Sequence, residues 1–101
     1  MKLFIDTSDS KKITLKLDNE VFEAPSHKNS SQLLLPLIDN ILKKKNKTIK
    51  DIKEIKINSG PGSFTGLRVG VTVANMLGFL LDIPVNSIDI RKKKYINIKY
   101  E

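Results

Sequence analysis

The sequence predicts a two-layer α/β domain: a five-stranded mixed sheet with two helices on one of its faces. Three observations lead there. Strand-like alternation fills the first two dozen residues, apolar residues recur at helical spacing in two later stretches, and a glycine-rich turn, Ser59-Gly60-Pro61-Gly62, opens the second of those stretches. At 101 residues the chain has room for one core and not for two lobes.

Taken in order, Lys2 to Asp6 carries Leu3-Phe4-Ile5 at its centre and reads as a central strand. Thr7 to Lys11 is a polar turn. Lys12 to Leu17 alternates, with Ile13, Leu15 and Leu17 on one face and Thr14 and Lys16 on the other. Asp18-Asn19 makes a hairpin tip into Glu20 to Ala24, so the first three strands form an antiparallel meander. Pro25 to Asn29 is a loop, and Ser30 or Ser31 caps a helix running to about Lys45. Leu34, Leu37, Ile38, Ile41 and Leu42 give that helix its apolar face, and Pro36 should bend its first turn. Lys47 to Asp51 links to a fourth strand, Ile52 to Asn58. After the glycine-rich turn Ser59-Gly60-Pro61-Gly62, the hub of the predicted fold, a helix runs to about Asp82. Ile83-Pro84 then breaks into a fifth strand, Val85 to Ile88. Tyr95 to Tyr100 alternates again, in the pattern of a sixth, edge strand.

The order strand, strand, strand, helix, strand, helix, strand is that of the ribonuclease-H-like fold. Right-handed crossovers put both helices on one face when each parallel strand is added in the same direction. The opposite face then faces water, which fits the alternation of Lys16, Lys56 and Asn86 with aliphatic residues. Residues 1–89 should form this lobe, and 90–101 a basic C-terminal strand or tail.

The second helix has an unusual surface. Gly66, Gly70, Ala74 and Gly78 recur every four residues and make a stripe with almost no side chain on it. Interior glycines each cost about 1 kcal/mol against alanine, so the stripe implies close approach of another backbone. Val69, Val73, Met76, Leu77 and Leu80 form a bulky apolar face beside it, leaving only a narrow polar strip of Arg68, Thr72, Asn75 and Asp82. Such a helix is buried on more than one side. One side can be its own sheet; the other needs a second helix or a second protein.

Composition excludes several classes of chemistry. The absence of cysteine rules out disulfides, a thiol nucleophile and cysteine metal sites, and it fits a reducing interior. The beginning, Met-Lys-Leu-Phe-Ile-Asp, is acidic too soon for a signal peptide, and Val69 to Leu81 is shorter than the roughly 20 residues of a membrane span. A cytoplasmic protein without a membrane segment is expected. The net charge of +7 resides mainly in Lys43 to Lys53 and Arg91 to Lys94. With no aromatic residues interleaved, these clusters read first as solvated surface.

A phosphate loop is one reading of the hub turn, because a helix start can hold an anion on its free amides. Its spacing does not match the common versions. Gly60 and Gly66 are separated by five residues and followed by Leu67-Arg68, which is not a Walker A loop, and GxGxxxG is not the dinucleotide fingerprint. Asp6 ends the first strand where a metal-binding carboxylate would sit, yet the end of the fourth strand offers Asn58-Ser59 and no second acid. An Asx turn through Asp6-Thr7-Ser8 is the simpler reading, and His27 is read as an exposed loop residue.

Ile5-Asp6-Thr7-Ser8, Ser31-Gln32-Leu33-Leu34-Leu35-Pro36-Leu37-Ile38 and Gly60-Pro61-Gly62-Ser63-Phe64-Thr65-Gly66-Leu67-Arg68-Val69-Gly70 together resemble the TsaB (YeaZ) family. The resemblance runs from Met1 to about Ser87 and covers the family's N-terminal lobe. It implies a lobe of the actin-like ATPase superfamily and a non-catalytic subunit in bacterial biosynthesis of threonylcarbamoyladenosine in tRNA. It further implies pairing with the catalytic paralogue TsaD through the two helices, with a TsaE-like ATPase joining the assembly, a homodimer through the same helices, tRNA reached only indirectly, and no cofactor or metal of its own. The interface residues implied are Leu34, Leu35, Ile38, Gly66, Gly70, Ala74, Asn75 and Gly78. Asp6, Thr7, Gly60, Gly62, Ser63, Thr65 and Arg68 would be the remains of a degenerate phosphate loop. Set against the family pattern, these 101 residues are expected to account for one lobe only, Ser30 stands where a histidine is usual, and the fourth strand carries the polar Lys56 and Asn58. The competing expectation is an autonomous module that takes nucleotide at the Gly60–Gly66 turn or RNA on the lysine clusters.

Overall fold

The computed structural model of the chain describes residues 1–26, 30–62 and 64–89. The strands are β1 (Lys2–Asp6), β2 (Lys12–Leu17), β3 (Glu20–Pro25), β4 (Glu54–Ile57), β5 (Pro84–Val85) and β6 (Ile88–Asp89); the helices are α1 (Ser30–Lys44) and α2 (Phe64–Leu81). They form one mixed sheet in the order β3-β2-β1-β4-β5-β6, parallel between β1, β4 and β5 and antiparallel elsewhere. The mixed sheet carrying two helices is the architecture the sequence predicts.

Period-two alternation in the strands sets the two layers. Leu3 and Ile5 of β1, Ile13, Leu15 and Leu17 of β2, and Ile55 and Ile57 of β4 are buried on the helix side. Leu34, Ile38, Ile41 and Leu42 of α1 and Val71, Ala74 and Leu77 of α2 close the same core. The alternate residues of the three strands face away; Lys12, Lys16 and Lys56 are exposed, and Phe4, Thr14 and Glu54 are half-buried. The crossovers β3-α1-β4 and β4-α2-β5 run the same way along the sheet, and among the described residues one sheet face carries no helix. Before β4, a single 3-10 turn, Ile49–Asp51, is held by Asp51, whose carboxylate accepts the Thr48 backbone N–H at 2.8 Å. That bond holds the Asp51 carboxyl below the usual carboxylate range.

The predicted fourth strand shrinks at both ends, to Glu54–Ile57, and the predicted fifth divides. Pro84–Val85 continues the parallel sheet, Asn86 and Ser87 turn with φ of 49° and 66°, and Ile88–Asp89 comes back antiparallel. Two successive left-handed residues make a two-residue hairpin with the twist its strands need. Asn86 is therefore a turn residue and not part of the wet strand face. Its side-chain amide substitutes for a strand: Oδ1 accepts the Ile57 N–H at 2.9 Å and Nδ2 donates to the Ile57 carbonyl at 3.1 Å. Asn86→Ala should cost about 2–4 kcal/mol, from two lost hydrogen bonds, an unpaired N–H and the loss of asparagine's tolerance of left-handed backbone. Urea unfolding measures this, and a change below about 0.5 kcal/mol would show that the amide adds nothing. Tyr95 to Tyr100, His27 and the Arg91 to Lys94 cluster lie outside the described residues, as does the whole of the segment 90–101 expected as a separate tail.

Candidate functional site

Where β1 and β4 end, a polar cluster meets the hub turn. Asp6 Oδ1 accepts the Ser8 N–H at 2.9 Å, the Ser8 hydroxyl at 2.6 Å and Asn58 Nδ2 at 3.3 Å. This is the Asx turn expected of Asp6-Thr7-Ser8. Asn58 also donates to Ser8 Oγ at 3.2 Å, and its Oδ1 accepts the Gly60 N–H at 3.1 Å. Gly62 presses on this turn so closely that a Cβ there would lie 2.6 Å from the Ser8 Cβ. Asn58 thus joins two strand ends to the hub through one side chain. Among the described residues no group of three or more acidic, histidine or cysteine side chains could hold a metal.

Thr7, 1% exposed, donates its hydroxyl to the Gly66 carbonyl at 2.5 Å. The first turn of α2 is thereby fixed to the end of β1. One turn later, a Cβ on Gly70 would strike Thr7 Oγ1 and come within 2.9 Å of Ile57 Cδ1. At Gly66 and Gly70 the stripe receives the end of β1, with Ile57 of β4 beside Gly70.

Most residues of the expected interface have little surface to offer in the chain by itself. Leu34, Ile38, Gly66, Gly70, Ala74 and Gly78 are all buried, Leu34, Ile38 and Ala74 in the hydrophobic core. Asn75 is half-buried. Leu35, 43% exposed, is the member of the set that faces outward. The outer surface of α2 is instead made of Arg68, Thr72, Met76, Phe79 and Leu80, with Val69 and Val73 half-buried between them. Positions 69, 73, 76 and 80 are spaced by three and four residues and form one continuous face. Met76, Phe79 and Leu80 are 39%, 53% and 63% exposed, a large apolar surface for one helix. The bulky residues beside the stripe were the signal for it, since a helix apolar over most of its circumference must leave something outside.

Of the residues expected in a degenerate phosphate loop, Asp6, Thr7, Gly60 and Gly62 converge on the polar cluster. Thr65 and Arg68 are exposed on the first turns of α2, and Ser63 lies outside the described residues. Sequence reasoning missed Asn58 and Thr7 as the groups that hold strand ends, turn and helix together.

A family model described as "TsaD: tRNA N6-adenosine threonylcarbamoyltransferase" matches residues 23–90, more than half of the chain. The chain belongs to this family. Its curated relatives carry the name "tRNA threonylcarbamoyladenosine biosynthesis protein TsaB". That of Bacillus subtilis (strain 168) is 38% identical over 61 residues, which make up 60% of this chain and 27% of the relative. That of Haemophilus influenzae is 37% identical over 60 residues, 59% of this chain and 25% of the relative. The TsaB of Escherichia coli K12 is 34% identical over 55 residues, 54% of this chain and 24% of the relative. A solved structure of YeaZ from Pseudomonas aeruginosa superposes with a TM-score of 0.72 at 27% identity, covering 83% of this chain and 41% of that one. The TsaB (YeaZ) resemblance read from the sequence and the actin-like fold it implies are borne out. The chain spans about a quarter of the length of the curated relatives it matches.

Proposed function

We propose that the chain is a non-catalytic subunit of tRNA threonylcarbamoyladenosine biosynthesis that docks a TsaD-like paralogue on the outer faces of α1 and α2. The observation that carries this reading is the apolar flank of α2, with Val73 and Met76 at its centre, together with exposed Leu35 of α1. Burying such a flank against another helix pair yields about 25 cal/mol per Å² of apolar surface, and a partner built on the same fold has matching helices to offer. The same faces would serve a homodimer when the paralogue is absent. A TsaE-like ATPase would join on the assembled pair, tRNA would be reached through the partner, and the site of action would be the cytoplasm.

The polar groups at the hub favour a structural role over catalysis. Asp6, Thr7, Ser8 and Asn58 spend their hydrogen bonds on one another, on Gly60 and on Gly66, which leaves them poorly placed for a nucleotide phosphate. No helix among the described residues is long and apolar enough to cross a membrane.

Light scattering after size-exclusion chromatography tests the reading directly. The chain mixed with the TsaD-like paralogue of its own organism should elute as a complex. A strictly monomeric chain that fails to associate would overturn the proposal. Calorimetric binding of ATP to the isolated chain would favour the rival, a nucleotide module at the Gly60–Gly66 turn.

A further inference from the structure

The sheet face opposite the helices has an organised centre. Phe4 of β1 stands in register with Lys16 of β2 on one side and Lys56 of β4 on the other, and Lys16 pairs in turn with Val21 of β3. All four side chains project from the same face because directly paired residues share a side of the pleat. Phe4 is half-buried, Val21 is 54% exposed, and the Lys16 ammonium lies 5.7 Å from the centre of the Phe4 ring. A depression of about 460 Å³ surrounds this row, lined by Lys2, Phe4, Lys16, Asp18, Asn19 and Lys56.

Its charge is unbalanced. Three ammonium groups face one carboxylate, and Asp18 already accepts the Lys2 backbone N–H at 3.0 Å. None of the three lysines makes an ion pair among the described residues, whereas Lys12, nearby on the same face, is paired to Glu23. Glu54 stands beside Lys2 in register, at the margin of the depression. Lys16 and Lys56 are carried on strands that flank β1, about 10 Å apart, so the central ring lies between two unpaired cations.

A strand surface with a half-buried aromatic ring between lysines suits an unstacked base with the phosphodiesters on either side of it. The ring offers a π-face to any base, and the ammonium groups neutralise the backbone. We propose that the open face of the sheet binds single-stranded nucleic acid, with one base on Phe4, the flanking phosphates on Lys16 and Lys56, and Asn19 within the pocket to contact the base or sugar edge. This does not rest on the partner-docking reading, since the two faces lie on opposite sides of the molecule.

Fluorescence anisotropy of the full chain with a labelled eight-nucleotide RNA, measured across a salt series, tests it. The single strand should bind more tightly than a duplex of equal length, because only the single strand can present an unstacked base. Phe4→Leu, which keeps an apolar residue in β1, should weaken binding about tenfold by removing the stacking platform. The double variant Lys16→Gln, Lys56→Gln should lower the slope of log affinity against log salt by about 1.4, the loss of two phosphate contacts on a single strand. Thermal melting followed by circular dichroism establishes that both variants are folded. Failure of the wild-type chain to bind the oligonucleotide at low salt would overturn the proposal and leave the face to a protein. So would equal affinity for duplex and single strand, or binding that neither set of substitutions changes, which would assign the contact to lysines elsewhere.

Discussion

Gly70→Leu should unfold the domain or lower its stability by about 3 kcal/mol or more, and should not act by disturbing a surface. The first atom added at this position meets Thr7 Oγ1 and lies 2.9 Å from Ile57 Cδ1, and three more carbons follow it. Neither neighbour can withdraw easily. Ile57 is a core residue of β4, and Thr7 is tied to the Gly66 carbonyl one turn earlier on the same helix. To admit leucine, α2 would have to lift from β1 and β4, break that bond and open the core along Val71 and Ala74. Gly70→Ala should fall between wild type and Gly70→Leu, since about 1 kcal/mol of gained helix propensity offsets part of the overpacking. Chemical unfolding monitored by circular dichroism gives both values. A Gly70→Leu protein that melts like the wild type would mean that α2 is rotated about its axis from the arrangement described.

Leu35→Glu combined with Met76→Glu should abolish association with a TsaD-like paralogue while the fold remains intact. Leu35 and Met76 are 43% and 39% exposed, so a carboxylate at either position stays in water in the isolated chain. Surface changes of this kind usually alter stability by no more than about 0.5 kcal/mol each. In a docked helix pair the same carboxylates would be desolvated at the centre of an apolar contact. Two such losses of about 2 kcal/mol each correspond to roughly a thousandfold in affinity. Titration calorimetry against the paralogue, beside a melting curve of the variant, separates the two quantities. Unchanged affinity would remove α1 and α2 as the docking surface. The two substitutions test one helix each, so single variants would show whether one helix alone carries the contact.

These two experiments divide α2 along its length, and the division is what sequence reasoning could not make. The glycine stripe and the apolar flank were both visible, and both demanded a neighbour. A run of small residues looks the same whether the backbone that fills it belongs to the same chain or to another. The stripe was accordingly expected at the partner interface, whereas Gly66, Gly70, Ala74 and Gly78 are inside. The bulky residues beside it, Met76 and Leu80, stand outside. The polar cluster was half legible: the Asx turn at Asp6 follows from local residue types, but its partner Asn58 is 52 residues away. The paired turn residues Asn86-Ser87 were legible in principle, since asparagine tolerates left-handed backbone, but alternation through Val85 to Ile88 reads as a strand.

Local chemistry is enough to determine much of this protein. Alternation of Leu3, Ile5, Ile13, Leu15, Ile55 and Ile57 with polar neighbours specifies strands with one wet face, the glycine-proline turn specifies where α2 begins, and the order of elements permits few topologies. These are periodicities and turn preferences, which depend on neighbours within a few residues. Which flank of α2 faces inward, what Asn58 and Asn86 hold together, and the placing of Phe4 between Lys16 and Lys56 were decided only in the folded chain. Each depends on strand register and helix rotation, and those are set by the packing of the whole core.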